Sequence, residues 1–119
     1  MASQNSFKKG NIELLLLAIL NSEDCYGYQI TQTIKKMSDG LITVTEGALY
    51  PILYRLTDQG YVTTEDRLVG KRMRRVYYHL EESGKEYFRN LLEEYRKNLL
   101  GVQKILDATS GNEDDEKNA

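Results

Sequence analysis

Four basic residues fall within five positions at Lys71, Arg72, Arg74 and Arg75, in the run KRMRRVYYHL. Cations at that density suit a row of phosphates, and an arginine can also enter a narrow minor groove. Just upstream, TEGALYPILYRLTDQG carries a second set. Glu46, Gly47, Tyr50 and Tyr54 share the outward side of a predicted helix, and Thr45, which opens and caps it, belongs with them as a candidate DNA contact. A phenol can donate to phosphate or pack on a thymine methyl, and a glycine admits close backbone approach. A carboxylate at Glu46 would either accept from cytosine or favour the helix N-terminus. Each set also has a plainer reading. The bases could be a solvated hairpin tip that resists edge-to-edge pairing, and the tyrosines could be half-buried packing residues.

Other residues carry weaker chemistry. Tyr26 and Tyr28 open a second helix, where a phenol could reach phosphate or the ring could join the core. Lys8, Lys9, Lys35 and Lys36 are secondary phosphate candidates, or merely solvated charges. His79 is the single histidine and has no partnered nucleophile; Cys25 precedes a helix start, which suits either a reactive thiol or a buried inert one. The chain has no Gly-rich phosphate loop, carboxylate pair or zinc-type Cys/His spacing. Neither an enzyme nor a cofactor is expected.

The elements that must position these residues follow from periodicity and punctuation. Residues 1–10 read as a flexible arm. Residues 11–20 form a nearly all-apolar helix, with Asn11 as its cap, which needs cover on two sides. Residues 26–38 form a second helix with Gly27, Ile30, Ile34 and Met37 on one face. In the third helix Leu49, Ile52, Leu53 and Leu56 make the buried stripe, Pro51 predicts a bend, and Gly60 a stop. Residues 61–66 and 74–80 are β-prone and flank a long basic tip at 67–73. A long helix over 83–108 places Phe88, Leu92, Tyr95, Leu99, Val102 and Leu106 on a heptad seam. Such a helix, about 26 residues and ~39 Å long, outruns the cover that a small body can give it. A two-fold dimer is therefore expected, using Leu15 and Ile19 of the first helix with the seam residues. The fold class is mainly α with a small β-hairpin: a winged helix-turn-helix over 11–81 and a dimerisation helix over 82–108.

Net charge is −2, which on its face disfavours a polyanionic partner. The predicted disordered tail at 109–119 holds four of the 18 acids and one of the 16 bases, so the remainder is +1. The longest apolar run, Leu14–Leu20, is too short to span a bilayer, and one cysteine forms no internal disulfide. A cytoplasmic protein with no membrane role is expected.

The ordered set Tyr26-Gly27-Tyr28-Gln29-Ile30, Gly47-Ala48-Leu49-Tyr50-Pro51-Ile52-Leu53, Arg55-Leu56, Gly60, Gly70-Lys71-Arg72, Arg74-Arg75, Tyr77-Tyr78, Leu80 and Gly84 resembles the PadR family of bacterial transcriptional regulators. The likeness runs over residues 11–106 and fits the smaller branch with a single C-terminal helix. It implies a homodimer on operator DNA, usually a repressor released by a ligand; a small aromatic effector between dimerisation helices and winged bodies is the expectation. Glu81 stands where the family commonly has Thr, which leaves Ser83 to cap the last helix. There is no tryptophan, so an indole-stacking drug pocket is not implied. The reading is a sequence-specific DNA-binding regulator on a pseudo-palindromic operator. The alternatives are a winged helix for protein–protein contact and a small-molecule binder without DNA function.

Overall fold

A computed structural model describes the backbone of residues 2–118 and the side chains of residues 11–110. The element order is α1 Ala2–Ser22, β1 Cys25–Tyr26, α2 Gly27–Met37, α3 Glu46–Asp58, β2 Val62–Val69, β3 Met73–Leu80 and α4 Glu82–Asn118. Helices dominate, and one three-stranded antiparallel sheet runs in the order β1-β3-β2. The chain divides into two units, residues 1–88 and residues 89–119.

The first unit is a winged helix. Its core is the apolar stripe of α3 (Leu49, Leu53, Leu56) closed by Leu16 and Leu17 of α1, Ile30 of α2, and Val62 and Leu80 of the wing. These residues sit on the faces that helical and alternating spacing assigns them, so burial and periodicity agree. Thr31 is the one buried polar side chain among the described residues, and its hydroxyl donates to the Tyr28 carbonyl at 2.7 Å.

Several expectations need correction. Asn11 does not cap α1, which starts at Ala2 and runs straight through it. Met37 does not share the buried face of α2: it is 76% exposed, because the helix ends there and the chain turns away at Asp39 and Gly40, both with positive φ. The wing has no long tip. The strands pair from Val62↔Leu80 out to Val69↔Met73, leaving only Gly70, Lys71 and Arg72 as the turn, with Gly70 at φ 72°. α3 spans Pro51, with Glu46–Asp58 helical on both sides of it. The stretches expected as a flexible arm (1–10) and a disordered tail (109–119) fall within the spans of α1 and α4, and their side chains, apart from Thr109 and Ser110, lie outside those described.

The start of α4 is fastened without the expected Ser83 cap. Ser83 Oγ instead donates to the Gly60 carbonyl at 3.3 Å, and Glu81 accepts from Thr63 Oγ1 at 2.8 Å. Gly84 is where the helix passes closest to the wing root: a Cβ there would collide with the Tyr61 carbonyl oxygen and Leu80. Because one of those atoms is backbone, it cannot swing aside. Gly84→Ala is expected to cost about 1–3 kcal/mol, read as a lower urea midpoint at unchanged slope.

Glu13, the acid that interrupts the apolar face of α1, is held rather than solvated. Arg55 of α3 lies 2.8 Å from its carboxylate and the Tyr87 hydroxyl of α4 donates to it at 2.7 Å. Tyr87 stacks on Tyr61 at 4.4 Å. Arg55 therefore serves the junction of α1, α3 and the first turns of α4, although it stays partly exposed as its position on the outward side of α3 predicts. The thiol of Cys25 is buried, and burial pushes it up to about 11, so it is protonated at neutral pH. That removes the reactive-thiol reading.

In the second unit, the helical residues Tyr95, Leu99, Val102 and Leu106 carry the predicted seam on an exposed face, with the two Leu and Val102 each 53% exposed. Exposed Leu100 and Ile105 widen it. No helix of the described residues is long and apolar enough to cross a membrane.

Candidate nucleic-acid interface

Thr45 opens α3 as a true N-cap, its hydroxyl accepting from the Ala48 amide at 3.2 Å. The hydroxyl accepts that bond and keeps its own O–H, on an exposed side chain, for a further acceptor. Glu46 follows in the first turn and is exposed, where a carboxylate complements the helix dipole. Gly47 is exposed too. No contact among the described residues requires glycine there, since an added Cβ would meet no atom of theirs nearer than Thr45 Oγ1 at 3.9 Å.

One turn on, the α3 tyrosines divide. Tyr50 is half-buried with its phenol laid on Gly27, where a Cβ would strike it, whereas Tyr54 remains 58% exposed. Their rings sit 5.8 Å apart. Burial, then the nearby Glu46 and Tyr54, raise the Tyr50 phenol above its usual range, and burial pushes Tyr78 up to about 12. Both phenols stay protonated at neutral pH.

The pleat of β3 sorts the wing bases. Arg74 lies with Val76, Tyr78 and Leu80 on one face, and Arg75 with Tyr77 and His79 on the other. Lys71 and Arg72 occupy the turn itself. Among the described residues no carboxylate lies within ion-pair distance of Lys71, Arg72, Arg74 or Arg75. Arg67, on the neighbouring strand, is different: Asp24 and Glu65 lie 3.3 and 3.4 Å from its guanidinium. His79 is tied down as well, with Nδ1 2.7 Å from Asp24 Oδ1, which makes it a structural partner on the protein surface.

The start of α2, the outer side of α3 and β3 together enclose an open groove of about 560 Å³. Tyr26, Tyr28, Tyr50, Tyr54, Arg74 and Arg75 line it, so six of the predicted contact residues meet in one place. Thr45, Glu46 and Gly47 lie outside it at the N-terminal end of α3, and Lys71 and Arg72 at the wing tip. The groove is a wall of phenols with two guanidinium groups, which matches an extended chain of phosphates and flat rings or sugars. Tyr78 forms part of its lining and was not singled out for the site by sequence, although its place on the α3-facing side of β3 follows from alternation once the register is known. Strand β1 was also unforeseen: two residues reveal no period, and it exists only because Cys25↔Tyr78 and Tyr26↔Tyr77 pair.

Of the predicted interface residues, Ile19 and Phe88 are buried within the first unit and have little surface left for a partner. Leu15 is half-buried beside an apolar hollow of about 300 Å³ against Leu41–Val44, and Leu92 is half-buried. Lys35 and Lys36 are exposed at the end of α2; Lys8 and Lys9 lie outside the described side chains.

The order of helices and the hairpin wing define a winged helix, and it carries a basic, phenolic surface. Residues 16–90 match the transcriptional regulator PadR-like family, and the chain belongs to it. It is 29% identical to the transcriptional regulator YqjI of Escherichia coli over 88% of this chain and 47% of that protein, so it spans about half the length of that relative. Among solved structures it resembles smu.1704 of Streptococcus mutans, at 37% identity and TM-score 0.72, over 83% of this chain and 89% of that one. It also resembles Bacillus subtilis PadR in complex with operator DNA, at 28% identity and TM-score 0.62, over 67% of this chain and 45% of that chain.

Proposed function

We propose that this regulator binds operator DNA as a homodimer and represses transcription, with release by a small aromatic effector. The observation that carries the DNA part is the convergence of Tyr28, Tyr50, Tyr54 and Arg74 on one groove, beside two tip cations with no carboxylate partner among the described residues. Phenol hydroxyls donate to phosphate oxygens, the arginines neutralise them, and the exposed start of α3 is left to meet base edges. Two such heads on a two-fold axis would engage half-sites about 34–36 Å apart. A non-catalytic, cytoplasmic role follows from this reading.

Fluorescence anisotropy with DNA from upstream of the protein's own gene, against scrambled DNA over a salt series, tests it. Selective binding with a steep salt slope is expected. Equal, weak retention on both DNAs would overturn it, as would no retention at low salt, which would favour a protein partner. The effector part is tested separately by whether small aromatic compounds release the bound DNA.

Gly47 supplies a sharper check. A glycine costs up to about 0.5–1 kcal/mol relative to alanine within a helix, and the described residues offer no packing reason for one in the first turn of α3. Gly47→Ala is expected to raise the melting temperature while lowering operator affinity, because the methyl would occupy space the DNA backbone needs. A variant both more stable and equally tight would remove the start of α3 from the interface.

A further inference from the structure

The β2–β3 register sets Arg67 directly opposite Arg75, a like-charge pair that a hairpin ordinarily avoids. Each guanidinium is laid on a tyrosine ring. Arg67 lies 4.1 Å from the centroid of Tyr77, and Arg75 lies 4.3 Å from the centroid of Tyr26. The two rings meet edge to face at 5.4 Å, joined through the Tyr26↔Tyr77 pairing of β1 with β3. The result is a ladder, Arg67–Tyr77–Tyr26–Arg75, across three strands. Its ends differ in charge balance: Arg67 is neutralised by Asp24 and Glu65, whereas no carboxylate among the described residues is paired with Arg75.

We infer that Tyr26 is a positioning residue for Arg75, holding that one guanidinium over its ring at the edge of the groove as a pre-oriented phosphate anchor, and that Arg67 is the structural end of the same ladder and touches no nucleic acid. The ring face attracts the cation without neutralising it, so the charge stays available to a phosphate while its rotamers are already restricted. A carboxylate in the same place would hold the side chain equally well but cancel the attraction. Arg67 has that arrangement, which fixes it as part of the fold. Strand β1 has a use on this account: two residues long, it exists to set Tyr26 beside Tyr77. The assignment differs from a direct phenol-to-phosphate role for Tyr26, and it rests on the operator-binding reading above.

A double-mutant cycle on the full-length protein separates these roles. Tyr26→Leu keeps an apolar side chain but removes the ring face; Tyr26→Phe keeps the face and removes the hydroxyl. With operator DNA, Tyr26→Leu is expected to weaken binding about three- to five-fold, and Tyr26→Phe to bind like the parent. In an Arg75→Gln background, Tyr26→Leu should cause no further loss, since the group it positions is gone. Arg75→Gln should flatten the salt slope, whereas Arg67→Gln should leave the slope unchanged. Thermal unfolding of each variant reports its folded fraction, so affinities are compared among folded proteins. Equal losses in both backgrounds would overturn the inference, and a Tyr26→Phe defect as large as that of Tyr26→Leu would place the phenol itself on phosphate. If the parent chain showed no selective DNA binding, the operator reading would fall before the cycle was begun.

Discussion

Replacing Lys71, Arg72, Arg74 and Arg75 together with alanine is expected to abolish useful operator binding while leaving the winged helix folded. All four sit at or beside a three-residue turn, and none is ion-paired to a carboxylate among the described residues, so their removal leaves no carboxylate there stranded. Surface substitutions of this kind usually change stability by less than about 0.5 kcal/mol each. The effect on a polyanion is much larger, because each lost phosphate contact lowers the salt slope by about 0.9. Four contacts per protomer amount to a loss of at least about 100-fold near physiological salt. Binding to scrambled DNA should fall with it, since phosphate contacts carry no sequence information. Anisotropy at several salt concentrations, with circular dichroism for the fold, reads both. An unchanged slope would remove the wing from the interface.

The second large effect is expected at the seam. Leu99 and Leu106 stand seven residues apart on one helical face and are each 53% exposed, with Val102 between them. Leu99→Glu with Leu106→Glu keeps good helix formers at both positions and adds two charges to the stripe. If the stripe faced solvent, the change would be nearly silent. If it is the seam between two copies, two carboxylates per chain would enter an apolar interface, and the pair would separate. The expected result is a dimer mass for the parent at micromolar concentration and a monomer mass for the variant, by light scattering. Operator affinity should fall by about 100-fold or more, because the second half-site is then no longer engaged at high effective concentration. A monomeric parent would sink the dimer proposal at once.

Both expectations rest on features that spacing alone exposes. The stripe Leu49, Ile52, Leu53 and Leu56 repeats at helical intervals, so the outward side of α3 could be deduced before any coordinates. The heptad positions and the basic run are equally local. What stayed hidden depends on partners distant in sequence. Met37 has the right spacing for the face of α2 but loses its cover where the helix ends. Asn11 has the right chemistry for a cap, yet helix continues on both sides of it. The wing turn reads as long because Arg67, Leu68 and Met73 resemble loop residues until the register pairs them. Charge pairing was the least readable of all. Arg67 and Arg75 look alike in the sequence, and only Asp24 and Glu65 on one side, and Tyr26 on the other, distinguish them.

The groove also has an optical consequence. Five of the chain's nine tyrosines line it, and there is no tryptophan anywhere. Near-ultraviolet absorption, dichroism and emission of this protein are therefore tyrosine signals, and the groove contributes a large share of them. Anything that settles against those rings rewrites the spectrum of the unlabelled chain, so occupancy of the site can be followed directly on the protein side, with ligands that do not absorb there.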